Sequence, residues 1–248
     1  MINNETLTDR QREEAQYHDQ MIINERQCQR RTSQSSYYKY FDDLVGEAKG
    51  HNVLDLGCGN GWFSTNLVKK GKRVYGVDIS HELLKIANEQ AKLQGLKEHL
   101  HFAKMAAENL AFSNDYFDII VGSAILHHTF IELTIQCIYD VLKIGGIGIF
   151  IEPMNENFLL KIWRRLTPWR RSPLERALEN KDIIAIKKLF PSMRTRYFGL
   201  TSIISEGLMI LIPQSRFLIF LDSQLSRVDA FILKRFPSLG RFCAVVVI

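Results

Sequence analysis

Residues Val53 to Gly61 read Val-Leu-Asp-Leu-Gly-Cys-Gly-Asn-Gly, an apolar run that breaks into three alternate glycines, and no other stretch limits the fold so tightly. Val53, Leu54 and Leu56 have the character of a parallel strand buried on both faces. Gly57, Gly59 and Gly61 let the backbone turn sharply and approach a ligand where a side chain would clash. Trp62 to Lys70 is predicted to be the helix that this turn opens. A glycine-rich strand-to-helix turn at the carboxyl end of a parallel strand is where doubly wound sheets bind nucleotide-like ligands. A second apolar run, Arg73 to Val77, ends at Asp78, a carboxylate placed to accept hydrogen bonds from ribose hydroxyls.

Two cofactors suit that pattern, and the glycine spacing separates them. A dinucleotide fingerprint is Gly-x-Gly-x-x-Gly, with its third glycine packing helix against strand. Trp62 stands in that place here, and the glycines run Gly-x-Gly-x-Gly. Asp55, inside the strand and directed at the turn, would repel a pyrophosphate but suit a cationic amine. S-adenosylmethionine carries an amine, a ribose and a sulfonium, and no phosphate. At these residues the chain resembles the class I S-adenosylmethionine-dependent methyltransferases of the small-molecule type, which share the Val53–Gly61 signature.

The resemblance continues in order as far as about Glu152. Lys104 to Asp118 is similar to the family's adenine-contacting turn and the approach to its fourth strand, and Ile119 to Thr129 to that strand and its loop, with Leu126-His127-His128 near the end. Val141 to Phe150 is similar to a helix end, a glycine turn and the fifth strand. The resemblance implies that Asp55 and the turn Gly57-Cys58-Gly59-Asn60-Gly61 hold the methionine end, Asp78 the ribose and Ile79 one adenine face. It implies that the backbone at Ala106 and Ala107 meets the adenine edge, and that Ser123 lies beside the amino acid moiety. His127 and His128 are the candidate base or acceptor-positioning residues, since imidazole titrates near working pH, with His18 a weaker candidate. Two departures stand out. The family commonly has aspartate where Ala106 stands, with Glu108 or Asn109 as replacements for that contact, and often proline at the positions of Ala111 and Ile144.

At 248 residues and 46% hydrophobic composition the chain can bury one sizeable core. It offers no run of roughly 18 apolar residues for a membrane-spanning helix, and Met1 to Gln20 is polar, which argues against a signal peptide. Cys28, Cys58, Cys137 and Cys243 are scattered, without the close pairs of a metal clip or a disulfide scaffold, so no metal and a cytoplasmic location are expected. A net charge of +5 is too mild to argue for nucleic acid. The Pro-Pro-Tyr turn of enzymes that methylate nucleic-acid amines is replaced by Gly122-Ser123-Ala124-Ile125, and no Pro-Cys pair for cytosine C5 chemistry occurs.

The expected fold is α/β, a Rossmann-like doubly wound seven-stranded sheet with an antiparallel last strand, N-terminal helices and a helical insertion before the last strand. Residues 1–50 are read as a helical cap, 51–152 as the S-adenosylmethionine-binding core, and 153–248 as acceptor-side helices and final strands of the same domain. In the cap, Tyr37, Tyr38 and Phe41 are either lid residues or anchors to the core, and Tyr17 and His18 are pocket candidates. Ser80 is the expected cap of a helix through Gln94, and Ile131 to Leu142 is another helix. The basic stretch 155–171, with Lys161, Arg164, Arg165, Arg170 and Arg171 around Trp163 and Trp169, is read as a solvated helix face whose tryptophans pack inward. A surface for phosphate, carboxylate or an anionic membrane is the alternative. Ser192 to Gly199 and Arg241 to Ile248 are the last strands, and the apolar segment between them is a pocket roof or an extra core layer, with a dimer contact or membrane grazing as further alternatives.

The function expected is methyl transfer from S-adenosylmethionine to O, N or C of a small or lipid-like molecule, without nucleic acid and with a homodimer allowed. The alternatives are a silent S-adenosylmethionine-binding regulatory protein and, further off, a nicotinamide-dependent oxidoreductase.

Overall fold

The computed structural model describes residues 7–20, 36–166, 175–205, 208, 212 and 215–247. Its centre is a seven-stranded sheet in the order β3-β2-β1-β4-β5-β7-β6. The strands are β1 (Asn52–Leu56), β2 (Arg73–Asp78), β3 (Leu100–Lys104), β4 (Phe117–Ser123), β5 (Leu142–Pro153), β6 (Arg194–Phe198) and β7 (Phe242–Val247). β1 to β5 pair in parallel, and β7 runs antiparallel to both β5 and β6. The expected fold class is therefore the observed one.

The chain builds outward from β1 through β2 to β3, then returns to lay β4 on the other side of β1. That reversal leaves a crevice at the carboxyl ends of β1 and β4, the place where open parallel sheets bind ligands. Because Leu56 pairs with Gly122, the glycine turn after β1 lies against the loop after β4.

Helices α1 (Asp9–Gln20), α2 (Ser36–Glu47), α3 (Trp62–Lys69), α4 (His81–Leu93), α5 (Ile131–Val141), α6 (Phe158–Leu166), α7 (Asn180–Leu189) and α8 (Arg216–Arg235) surround the sheet. One apolar layer joins the sheet to α5 and α7 through Ile131, Ile135, Ile138, Ile186 and Phe190. The other joins it to α2, α3 and α4 through Tyr37, Tyr38, Phe41, Leu67, Val68 and Ala91. Phe41 is fully buried and the Tyr37 ring stacks on Phe242 at 4.3 Å, so these α2 aromatics are anchors rather than a lid. Ser80 caps α4 by accepting a hydrogen bond from the Leu83 amide at 3.1 Å, satisfying a donor that the helix start would leave unpaired.

Two local readings change, and a third falls largely outside the described residues. β5 starts directly at the end of α5, and Gly145-Gly146 lies inside it: the pairing passes from Phe117–Leu142 to Ile119–Ile147, so the strand bulges across the glycines. In the basic stretch, α6 exposes Phe158, Ile162 and Leu166, while the Trp163 and Arg164 side chains and Trp169, Arg170 and Arg171, on which the inward packing of the tryptophans rests, lie outside the described residues. In the apolar insertion, α8 packs on β6 and α2 through Leu218 and Leu233 but leaves Phe217, Phe220 and Phe231 in solvent, so it is only in part a core layer.

Gly61 shows how tightly the turn is built. It sits at φ 75°, and a Cβ there would stand 2.6 Å from Phe102 Cζ and 2.9 Å from Ala87 Cβ. Gly61→Ala is expected to lower stability by about 1–3 kcal/mol through left-handed strain and overpacking, read as a reduced urea midpoint with unchanged m-value.

Candidate active site

The glycine turn is held by the end of β2. Val77 O accepts hydrogen bonds from the Gly57 and Cys58 amides at 2.8 and 3.0 Å. Asp78 Oδ2 accepts from the Gly59 amide at 2.8 Å, and its Oδ1 from the Ser80 amide at 2.8 Å. The turn needs glycine for conformation, since Gly57, Gly59 and Gly61 all have positive φ, and Gly57 also for space, since a Cβ would meet Ile125 Cδ1 at 2.7 Å.

Asp55 lies one residue before β1 ends, and its Oδ2 accepts a 2.5 Å hydrogen bond from Ser64 Oγ on α3. Burial raises its carboxyl to about 7, with the Asp78 charge adding to the shift and Ser64 opposing it. Burial also raises Asp78, against the Ser80 and Gly59 amides and the nearby His18 imidazole. Two carboxylates beside one turn are thus desolvated more than they are compensated.

Across the crevice, the loop after β4 forms a short 3₁₀ turn, Leu126–His128, that brings the candidate histidines together. Glu152 of β5, fully buried, organises it: Oε1 accepts from the Ile125 and Leu126 amides at 2.9 Å, and Oε2 pairs with His127 Nδ1 at 2.8 Å. On the far side of the ring, His127 Nε2 is 3.9 Å from Glu175 Oε1. Burial and then the neighbouring His128 lower the His127 pKa below the ordinary imidazole value, so the ring is neutral at pH 7.

His128 is less enclosed. Its ring lies 4.1 Å from that of His127 and 5.1 Å from that of His18, and its Nδ1, which makes no hydrogen bond, faces Glu14 Oε2 at 3.4 Å. His18 Nε2 lies 3.7 Å from the same Glu14 oxygen, and burial followed by His128 lowers its pKa as well. The sets Glu14–His18–His128 and His127–His128–Glu175 each bring two imidazoles and a carboxylate within 4.8 Å of one another, spacing that serves proton exchange and is also open to a cation.

Helix α1 delivers Glu14 and His18 through specific polar contacts. Arg10 Nη2 donates to His128 O at 3.1 Å, Gln11 Nε2 donates to Glu108 Oε2 at 3.0 Å, and Asp19 accepts from Ser80 Oγ. Glu108, a replacement considered for the missing acid at Ala106, is therefore engaged by the cap, and its other oxygen accepts from the Phe130 amide at 3.0 Å. Ala106 and Ala107 are buried behind β3, Ile79 is half-buried after Asp78, and Ser123 is exposed at the end of β4. A separate cavity of about 570 Å³ lies between α2 and α3, lined by Tyr38, Trp62, Phe63, Lys69 and Ile219 among others, and shares no residue with the histidine cluster.

Glu14, Glu152 and Glu175 were not singled out from sequence. Glu152 carried one signal, an acid ending an otherwise apolar strand; the other two stand in polar stretches with nothing to distinguish them.

Residues 53–146 match the family model of a methyltransferase domain. The ubiquinone biosynthesis O-methyltransferase of Shewanella sp. (strain ANA-3) is 31% identical over 120 residues, 48% of this chain and 50% of that protein. The mitochondrial enzyme of that name from Mus musculus is 34% identical over 113 residues, 44% of this chain and 30% of that protein. The chain thus spans half the length of these curated relatives or less. Among solved structures, an S-adenosylmethionine-dependent methyltransferase from Thermotoga maritima superposes with a TM-score of 0.61 at 15% identity, covering 93% of this chain and 97% of that one. Phosphoethanolamine N-methyltransferase 2 of Haemonchus contortus, solved with S-adenosyl-L-methionine, gives 0.60 at 17% identity over 85% of this chain and 52% of that one.

Removing the organising carboxylate exposes its role. Glu152→Ala leaves two buried amides and His127 Nδ1 unpaired, and is expected to destabilise the fold by about 3 kcal/mol or more. Equilibrium denaturation measures the loss, and an unchanged midpoint would show that the loop does not depend on Glu152.

Proposed function

We propose that this chain, a member of the class I S-adenosylmethionine-dependent small-molecule methyltransferases, moves a methyl group from S-adenosylmethionine to a hydroxyl of a small or lipid-like biosynthetic molecule. One observation carries the choice of cofactor: Asp55, buried, and Asp78, half-buried, are both pushed toward protonation and flank the same glycine turn. A phosphate-bearing cofactor would meet two carboxylates there, whereas a ligand with an ammonium group and vicinal hydroxyls satisfies both. Asp55 and the Gly57–Gly61 turn, Cys58 included, would hold the amino acid end with Ser123 opposite. Asp78 would take the ribose, and Ile79 with the backbone at Ala106 and Ala107 would bound the adenine. The division into a 1–50 cap, a 51–152 cofactor core and a 153–248 acceptor side belongs to the same reading, as does cytoplasmic residence.

When bound, S-adenosylmethionine supplies a methyl group already activated by the sulfonium charge, so the reading invokes no metal. The protein's task is then orientation, which contributes on the order of 7–11 kcal/mol in well-aligned displacements. A hydroxyl acceptor also has to lose a proton, and here the histidines enter. His127 is committed to Glu152 on one side and covered by Glu175 on the other, which makes it a positioning residue for its neighbour. The His128 Nδ1 is buried against Glu14, whose carboxylate stabilises the imidazolium that forms when the ring accepts a proton. The Shewanella and mouse relatives are named as O-methyltransferases, which supports oxygen as the acceptor atom, while a relative from Vibrio vulnificus is named as a C-methyltransferase.

Isothermal calorimetry with S-adenosylmethionine tests the cofactor, and Asp78→Ala is expected to abolish measurable binding. With a hydroxyl acceptor, His128→Ala should lower kcat by about 10²–10⁴ while leaving cofactor affinity intact; full turnover of that variant would remove the general base from the scheme. The Asp55 carboxyl, raised to about 7, must ionise to meet an ammonium group. Cofactor affinity should therefore weaken by up to about tenfold per pH unit below 7 and level off above it, with proton release on binding at acidic pH.

A further inference from the structure

The amphipathicity of α8 is reversed from that of an ordinary surface helix. Its inward side carries two aspartates, Asp222 and Asp229, both buried. Asp229 accepts from the Thr201 and Ser202 amides at 2.7 and 3.1 Å and from both hydroxyls, and Asp222 accepts from Ser205 Oγ at 2.7 Å. Its outward side carries Phe217, Phe220, Val228 and Phe231, spaced to share one face; Phe217 is 68% exposed and Phe231 83%. Such a helix is about 30 Å long.

Two further segments repeat the pattern. On α6, Phe158, Ile162 and Leu166 recur every four residues and are exposed, Phe158 at 70%. Ile204, Leu208 and Ile212, again four apart, are exposed just before α8. The start of α6 is joined to the end of α8 by a 2.6 Å hydrogen bond from Asn157 Nδ2 to Leu239 O.

The exposed charges on α6 and α8 have one sign. Lys161 and Arg165 on α6, and Arg216, Arg227, Lys234 and Arg235 on α8, are all exposed. The only acids on the two helices are Asp222 and Asp229, and both face inward.

We propose that α6 and α8 form a docking surface for an anionic lipid bilayer. An aromatic and aliphatic stripe rimmed by lysine and arginine is what an interfacial helix presents to a membrane: the apolar face enters the boundary between headgroups and acyl chains while the cations meet lipid phosphates. Charge complementarity selects this occupant over a second copy of the chain, since an isologous contact through this face would oppose cations to cations. No described helix is long and apolar enough to cross a membrane, so the attachment is peripheral and reversible. It deepens the lipid-like acceptor of the proposed function, because a surface-bound enzyme meets such an acceptor where it resides, but it does not need the methyl-transfer reading to hold.

The test uses the full chain and two sets of vesicles, phosphatidylcholine alone and phosphatidylcholine with about a third phosphatidylglycerol, in a sedimentation assay. The protein should pellet with the anionic vesicles and much less with the neutral ones, and salt near 0.5 M should release it, since the screening length there falls well below ~8 Å. A Phe217→Ser, Phe220→Ser, Phe231→Ser variant should bind at least about tenfold more weakly, and an Arg216→Gln, Arg227→Gln, Arg235→Gln variant should lose the preference for anionic lipid. Melting curves and S-adenosylmethionine titrations on the same variants should be unchanged, which separates this surface from the cofactor site. The proposal is overturned if neither vesicle pellets the protein, if the phenylalanine variant binds as the parent does, or if the parent is a dimer that the phenylalanine substitutions convert to monomer.

Discussion

The Glu152 carboxylate is the interaction on which the site's organisation rests. It lies on β5, which is clamped between β4 and β7, so its position is set by two ladders of hydrogen bonds. From there it gathers the Ile125 and Leu126 amides and the His127 ring into one cluster of charge-assisted hydrogen bonds. A buried acid costs much unless its oxygens are satisfied, and here the satisfaction comes from the loop that must be ordered. The rigid sheet thereby fixes the polar side of a loop whose apolar side is anchored in the core by Leu126. Asp78 does the equivalent for the glycine turn, so each side of the crevice is braced by a carboxylate from a neighbouring strand.

The cap is built on different physics. Within α1 only Glu14 and Ala15 are buried, and the helix is attached by Arg10, Gln11 and Asp19 through polar contacts instead of a packed apolar face. Segments held in this way occupy the low end of a protein's local stability. This helix nevertheless contributes Glu14 and His18 to the histidine cluster. Helix α2, by contrast, is fixed by Tyr37, Tyr38 and Phe41 in the main core. Among the described residues before β1, one helix is thus anchored and one is only latched.

The cofactor half of the molecule was legible in the sequence because its determinants are local. Glycines at 57, 59 and 61, an apolar strand before them and Asp78 after the next strand are constraints of backbone geometry, and they act within about 25 residues. Ser80 and its helix were readable for the same reason. The histidine cluster was less so: His18, His127 and His128 were noticed one by one, but nothing in their spacing says that helix α1 and a strand loop bring them into contact through Glu14. Helix α8 was ambiguous for a related reason. Apolar residues at helical spacing look the same whether they face a core or water, and the choice for α8 was made by Asp222 and Asp229, whose partners at Ser205 and Thr201 turn that side inward.

The place of β7 in the sheet bears on how the chain comes to be folded. Among the described strands β7 is the last to be synthesised, yet it sits between β5 and β6 and supplies the ladder contacts of β6. Until residues 242–247 leave the ribosome, β5 is an open edge with an apolar face, and β6 with its attached α8 has no strand to join. Everything from β1 to β5 consists of near-neighbour parallel units that can assemble as they emerge, whereas the remainder waits for one insertion at the end. The nascent protein would therefore carry a half-closed sheet, the kind of edge that pairs with other chains, and its exposure to aggregation would end only when Cys243 to Val247 slide into the gap.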